Sequence, residues 1–93
     1  MKRIHLTQRF QKEVIELGGE RRPAVFEAVL ALDKALGYPH LHAGLGLRKL
    51  HPVGIWEVRL GLGLRMVFTV DEEAITLVMV GTHDEVRRYL RTL

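Results

Sequence analysis

The stretch WEVRLGLGLRMVF, residues Trp56 to Phe68, contains two alternating segments joined by a glycine-rich centre. Before the centre, apolar residues occupy every second position and alternate with Glu57 and Arg59. After it, Leu64 to Val70 repeats the alternation. A period of two is typical of a β-strand with one buried face. Gly61 to Gly63 are therefore predicted to form a hairpin loop, because glycine readily adopts the positive φ angles that a tight chain reversal needs.

The string GLGLR occurs twice, at Gly44 to Arg48 and at Gly61 to Arg65. A phosphate-binding glycine loop leads into a helix, whereas the second copy leads into an alternating segment, so this function is not indicated. A structural repeat is also excluded, because no supersecondary unit fits within so short a period.

The loop length predicts which residues face each other across the hairpin. If Val58 stays on the same face as Met66, a three-residue loop places Arg59 directly opposite Arg65. The same register pairs Val58 with Met66 and Trp56 with Phe68. Like charges in a cross-strand pair are destabilising, and such a broken local rule predicts an anion-binding site.

One alternative is that Glu57, diagonal to Arg65 on the same face, neutralises the arginine pair in a surface salt-bridge cluster. Three further residues in the preceding segment are candidates to widen the basic surface. These are Arg48, Lys49 and His51.

The segments outside the hairpin predict an α+β domain that spans residues 1–93. A short strand at Ile4 to Leu6 precedes a helix that Thr7 caps and Gly18 ends, and a second helix runs from Pro23 to Gly37. Four apolar residues are predicted to form the buried face of that second helix: Phe26, Val29, Leu30 and Leu36. A twisted antiparallel sheet of three to four further strands follows this helical hairpin.

A short C-terminal helix is predicted to follow the sheet. Thr82 and Glu85 have the spacing of a capping box, in which each side chain satisfies an amide at the start of a helix. Val86, Tyr89, Leu90 and Leu93 are predicted to share its apolar face.

Composition limits the possible chemistry. The chain of 93 residues is 47% hydrophobic and 27% charged, and no apolar run approaches the roughly 20 residues that span a membrane. The opening MKRIHLTQRF has no apolar segment of the kind found in secretory signals, so we expect a cytoplasmic protein. The absence of cysteine excludes disulfides, thiolate ligands and a cysteine nucleophile.

The net charge is +3, and ten of the fourteen cationic residues are arginine, whose planar fork matches phosphate. This composition suits nucleic acid, although a surface that is merely basic explains it as well.

Several histidines and one tyrosine are candidates for chemistry. His83 lies in the first turn of the last helix, where it suits proton transfer or is a solvent-facing polar residue. Tyr89 is a candidate for catalysis or for packing with its hydroxyl at the rim of the core. His40 and His42 lie near His51 in the sequence, but without cysteine, an EF-hand loop or an HExxH helix we expect no metal.

The segment LRKLHPVGIWEVRLGLGLRMVFTVDEEAITLVMVGTHDEVRRY, in a chain of this length and element order, resembles the RelE/ParE superfamily of toxins from bacterial type II toxin-antitoxin systems. Its most specific parts are WEVRL, LRMVF and VGTHDEV. The resemblance implies a helical hairpin on a twisted antiparallel sheet with a short C-terminal helix.

In the ribonuclease branch, similar proteins cut mRNA in the ribosomal A site without a metal, by attack of the ribose 2′-hydroxyl on the adjacent phosphate. The resemblance thus implies a translation-inhibiting mRNA endonuclease whose partners are a cognate antitoxin, the ribosome and mRNA. No cofactor, membrane or small-molecule substrate is expected. The alternatives are a ParE-like inhibitor of DNA gyrase and a non-toxic protein-interaction module.

The resemblance also assigns roles to residues. Arg65 matches the arginine that contacts the scissile phosphate, Arg59 a basic position one strand earlier, and His83 the acid. Tyr89 is near a tyrosine that several members carry, and Arg87 competes for that place. Arg48, Lys49, His51 and Arg87 are the expected RNA-binding residues.

The general base is the part of the pattern that this chain lacks. Some members carry a glutamate in the strand before IWEVR, whereas the matching stretch GLRKLH holds none. His51 and Glu57 are the candidate replacements.

Overall fold

The computed structural model of the chain describes residues 2–38, 46–52, 54–61 and 63–93. The elements follow the predicted order of strand, two helices, sheet and helix, and the α+β class is confirmed. They are β1 (Arg3–Leu6), α1 (Gln8–Leu17), α2 (Arg22–Leu36), β2 (Leu47–His51), β3 (Ile55–Gly61), β4 (Leu64–Val70), β5 (Ala74–Thr82) and α3 (His83–Leu90).

The five strands form one sheet in the order β1-β5-β4-β3-β2. The four later strands are antiparallel to one another, as predicted, while β1 lies parallel to β5 at the edge. The sheet is therefore mixed.

The helix termini are those that the sequence indicated. The Thr7 side chain accepts a hydrogen bond from the Phe10 amide, and α1 ends before Gly18, whose φ is 83°. The Thr7 hydroxyl also lies 2.9 Å from the Leu77 carbonyl oxygen, which ties the start of α1 to β5. At α3 the capping box of Thr82 and Glu85 is complete.

The predicted register of the β3-β4 hairpin is confirmed up to Arg59, but the predicted three-residue loop is wrong, because a register shift after Arg59 pairs Gly61 with Leu64 and makes Gly61 the last residue of β3. Arg59 pairs with Arg65, and the two other predicted pairs, Trp56 with Phe68 and Val58 with Met66, are also present. The Trp56 and Phe68 rings stack with their centroids 6.4 Å apart. Gly61 and Gly63 have φ angles of 79° and 76°, as a glycine turn requires, while Leu62 lies outside the described residues.

Both faces of the sheet are covered, but by different helices. The first core lies under α1 and α2 and includes Phe10, Leu32, Met66 and Phe68. The second core lies under α3 and contains Ile55, Val67, Met79 and Val86. The strand β5 contributes to both cores, which explains why its sequence is apolar on both faces. None of the described helices is long and apolar enough to cross a membrane.

The predicted buried face of α2 is wrong in part. Phe26 and Leu30 are 53% and 83% exposed, and the helix instead buries Val25, Leu32 and Ala35. Its apolar residues form two overlapping stripes, and the stripe that contains Val25, Leu32 and Ala35 is the one packed into the first core.

The apolar face predicted for α3 is also longer than the helix. Val86, Tyr89 and Leu90 contribute to the second core, but Leu93 follows the end of the helix and is exposed.

Candidate anion-binding site

A cleft of about 480 Å³ opens on the α3 face of the sheet, beside the start of that helix. Strands β2, β3 and β4 supply its floor, and the first residue of α3 supplies one wall. The lining residues are Gly46, Leu47, Arg48, Glu57, Arg59, Arg65 and His83.

The strand registers bring the charged side chains together. Arg48 of β2 pairs with Glu57 of β3, and Arg59 of β3 pairs with Arg65 of β4. Cross-strand partners and residues two apart on a strand share a face of the sheet. All four side chains therefore lie on the same face, opposite α1 and α2.

Glu57 is buried, with 2% exposure, although it carries a charge. Its Oε2 atom accepts hydrogen bonds from Arg48 Nε and from Arg65 Nη1, each at 2.9 Å. The alternative of a neutralising carboxylate is thus correct for Arg65. The second partner of Glu57 is Arg48 rather than Arg59, and the cluster is partly buried rather than a surface network.

Arg59 forms no ion pair with a carboxylate in the described part of the chain. The cleft holds three guanidinium groups against one carboxylate, which leaves two uncompensated positive charges. A concave surface with an excess of one charge concentrates ions of the opposite sign. The arrangement is therefore suited to binding an anion.

His83 lines the same cleft and is exposed. It follows directly on β5, because Thr82 is both the last residue of that strand and the N-cap of α3. Gly81 pairs with Arg65 and has no side chain that would separate the arginine from the helix start. The His83 imidazole and the arginine side chains consequently line the same cleft.

The structure does not bring Tyr89 into this cleft. The residue packs against the second core, and the Arg9 guanidinium carbon lies 5.5 Å from the centre of its ring. Tyr89 lies six positions after His83, so at 3.6 residues per turn the two side chains leave α3 in directions about 120° apart. The packing interpretation of Tyr89 agrees with this position.

Three of the four expected RNA-binding residues also lie outside the cleft lining. Lys49 pairs with Trp56 and so faces the α1 and α2 layer. His51 follows a register shift in β2 and is exposed. Arg87 is exposed one turn after His83 on the same side of α3. Only Arg48 lines the cleft.

Of the three histidines considered for a metal site, His40 and His42 lie outside the described residues. Within the described ranges, no group of three or more histidine, aspartate or glutamate side chains could hold a metal ion.

Gly46 is a site residue that sequence reasoning missed. Its φ angle is 67°, and its carbonyl oxygen accepts a hydrogen bond from the Arg59 amide at 3.2 Å. A Cβ atom at this position would lie 2.9 Å from Arg59 Nε. The glycine before β2 was visible in the sequence, but its closeness to Arg59 depends on the β2-β3 pairing.

No family model and no curated protein sequence matches this chain. Solved structures do. A copper-bound mutant toxin from Helicobacter pylori is 20% identical with a TM-score of 0.63, and the match covers 92% of this chain and 99% of that one. A chain of the archaeal RelE-RelB complex from Pyrococcus horikoshii OT3 is 17% identical with a TM-score of 0.67, at coverages of 87% and 93%. The YoeB dimer from Staphylococcus aureus is 19% identical with a TM-score of 0.64, at coverages of 88% and 97%. This chain therefore has the fold of the RelE-type toxins.

Proposed function

We propose that this chain is the toxin of a toxin-antitoxin system and that it cuts mRNA on the ribosome, in the cytoplasm, without a metal. The observation that carries the proposal is the cleft in which Arg48, Arg59, Arg65 and His83 converge. The fold supports it, because it is shared with proteins solved as toxins and as RelE-RelB and DinJ-YafQ complexes.

The reaction would be an internal transfer at one phosphodiester. The 2′-oxygen of a ribose forms a bond to the adjacent phosphorus, and the bond from phosphorus to the 5′-oxygen of the next nucleotide breaks. The products are a cyclic phosphate end and a 5′-hydroxyl end. Negative charge grows on the phosphoryl oxygens along the way, and fixed cations in a partly enclosed site stabilise it.

The arginines differ in how free they are to meet that charge. Arg59 has no carboxylate partner among the described residues and can give its whole guanidinium fork to the phosphate. Arg65 is 22% exposed and already donates Nη1 to Glu57, which leaves its other donors for the phosphate. We assign Arg59 and Arg65 to the phosphate and Arg48 to its flank.

His83 is the group in the cleft that can give a proton to the leaving 5′-oxygen. Of the two candidate bases, His51 does not line the cleft, and Oε2 of Glu57 is already engaged by two arginines. We therefore assign acceptance of the 2′-hydroxyl proton to water.

An antitoxin is the partner that this proposal requires. The neighbouring complexes pair RelE with RelB and YafQ with DinJ. A protein that covered the basic cleft or displaced α3 would block access to Arg59 and His83, and acidic side chains would complement the two uncompensated charges.

The test is induced expression without an antitoxin, with labelled amino acids and labelled thymidine followed in the same culture over the first minutes. We expect protein synthesis to stop first, and new mRNA ends to appear. Arg59→Ala should abolish the arrest without leaving a buried carboxylate unpaired, and His83→Gln should slow cleavage by about 10²-fold to 10⁴-fold. Lys12→Ala, on an exposed position of α1, removes one charge far from the cleft and is the matched control.

Each other outcome has a definite meaning. Loss of DNA synthesis before protein synthesis would replace the proposal with gyrase inhibition. Normal growth with a folded wild-type protein would favour a non-toxic interaction module. Full toxicity of folded Arg59→Ala and His83→Gln variants would remove the cleft from the mechanism.

A further inference from the structure

Glu57 is the one buried charged residue in the described part of the chain. It lies at the centre of three adjacent strands, between Arg48 of β2 and Arg65 of β4. An isolated buried carboxylate is strongly unfavourable, so its position depends on both arginines. The positions of both arginines depend in turn on Glu57, because both guanidinium groups donate to one of its oxygen atoms.

The geometry of these bonds determines what each arginine still offers. Arg48 donates from Nε, so both of its terminal nitrogens stay free of Glu57. Arg65 donates from Nη1, so Nε and Nη2 stay free. An unrestrained arginine side chain samples many rotamers, and restraint by a salt bridge lowers the entropy that is lost when it binds a phosphate. Glu57 thus orders two arginines while using only one donor of each.

The same bonds argue against Glu57 as a general base. A proton accepted on either carboxylate oxygen would remove the negative charge of Glu57 and leave two guanidinium groups close together without a counter-charge. The role that fits is one exerted through the arginines rather than on the substrate.

We propose that Glu57 is a positioning residue that holds Arg48 and Arg65 as an ordered pair directed at the bound phosphate. This inference rests on the proposed function, because the phosphate is taken to be that of RNA. It has a distinctive consequence. The carboxylate lowers the positive charge of the cleft while it orders the arginines, so its removal should strengthen anion binding and weaken catalysis.

The experiment compares the wild-type chain with Glu57→Gln, which keeps the shape of the side chain and removes its charge. Inorganic phosphate and an uncleavable 2′-O-methyl RNA oligonucleotide serve as probes of binding. We expect both to bind about threefold to tenfold more tightly, because one negative charge leaves the cleft. Cleavage of mRNA on programmed ribosomes should fall by about tenfold to a hundredfold, because the arginines lose their alignment.

A spectroscopic signal reports the positioning directly. Arg48 Nε donates to Glu57, so its Nε-Hε resonance in a ¹⁵N-labelled sample should move in Glu57→Gln, and the Arg59 resonance should move much less. Glu57→Asp keeps the charge but retracts the carboxylate by one methylene group. We expect it to lower cleavage with little change in phosphate affinity, and it also serves as the second variant if Glu57→Gln fails to fold.

Three results would overturn the proposal. Phosphate affinity and cleavage that fall together with the melting temperature would show a purely structural role. Loss of the rise in cleavage rate on the acid side of the pH-rate profile, with phosphate affinity unchanged, would show a general base. An Arg48 resonance and a phosphate affinity that both stay unchanged would show that Glu57 does not position the arginines. The resonance and phosphate measurements remain decisive even if the wild-type protein cuts no RNA.

Discussion

At the scale of single residues, Gly46 and Arg59 constrain each other. The backbone of Gly46 has a positive φ angle and lies against the Arg59 side chain, so a Cβ atom there would both strain the backbone and displace the guanidinium group. Gly63 has a similar φ of 76°, but a Cβ atom at that position would meet nothing within 4 Å. Comparing substitutions at the two glycines therefore distinguishes the effect of backbone strain from the effect of displacing Arg59.

We predict that Gly46→Ala and Gly63→Ala each lower the free energy of unfolding by about 1 to 2 kcal/mol, because both force alanine into the left-handed region. Only Gly46→Ala should also weaken phosphate binding, by displacing Arg59. Urea denaturation gives the first quantity, and phosphate titration of the folded variants gives the second. Equal phosphate affinities in the two variants would show that the position of Arg59 does not depend on Gly46.

At the scale of elements, the capping box fixes the helix start that carries His83. Hydrogen bonds from the backbone amide and hydroxyl of Thr82 lower the pKa of Glu85 below its usual 4.5. The folded state therefore favours the ionised carboxylate more than the unfolded state does. The resulting stabilisation is complete above the unfolded pKa and is lost as the pH falls through the lower, folded value.

We predict that Glu85→Gln is less stable than the wild type at pH 7 and that the difference shrinks as the pH falls below about 4.5. Glutamine retains an acceptor for the capping bond but does not titrate. Thermal melts between pH 7 and pH 3 measure the difference. The pKa of Asp71, which the amides of Glu73 and Ala74 also lower, affects both proteins equally and cancels. A pH-independent difference would contradict the assignment.

The elements also show which features the sequence could predict. The Arg59-Arg65 pairing followed from alternation and loop length, which are local properties of one hairpin. The rotation of α2, which exposes Leu30 and buries Leu32, depends on its contacts with α1 and the strands. Both stripes of α2 are apolar, so no pattern within the helix determines which of them is buried. Whole-element contacts are therefore where prediction from this sequence fails.

The site follows the same division. Arg48, Arg59, Arg65 and His83 share the cleft as the sequence suggested, and their catalytic roles stay predictions. The bridging role of Glu57 requires the β2-β3 register as well as the hairpin, and the segment between α2 and β2 gave no means to derive that register. Helical spacing correctly placed Tyr89 on the apolar face of α3, whereas its candidacy for catalysis came from motif spacing, which does not take into account the direction in which the side chain leaves the helix.

At the scale of the whole molecule, the distribution of charge matters more than its sum. The net charge of +3 is modest, but two uncompensated charges lie in one cleft on the α3 face. Lys49 directly follows Arg48 in β2 and therefore faces the other side of the sheet. If RNA were bound by a merely basic surface, Lys49 and Arg59 would contribute equally to binding. If RNA were bound in the cleft, Arg59 would contribute and Lys49 would not.

Salt dependence separates these two descriptions. For single-stranded nucleic acid, each phosphate that a cation neutralises contributes about −0.7 to the slope of log K against log salt concentration. We predict that Arg59→Ala makes the slope for a 2′-O-methyl RNA oligonucleotide shallower by about 0.7, and that Lys49→Ala, with the same loss of charge, leaves it unchanged. Fluorescence anisotropy between about 50 and 300 mM salt provides the measurement. Equal changes in both variants would mean that RNA is held by the overall charge of the protein, and the cleft would not be the binding site.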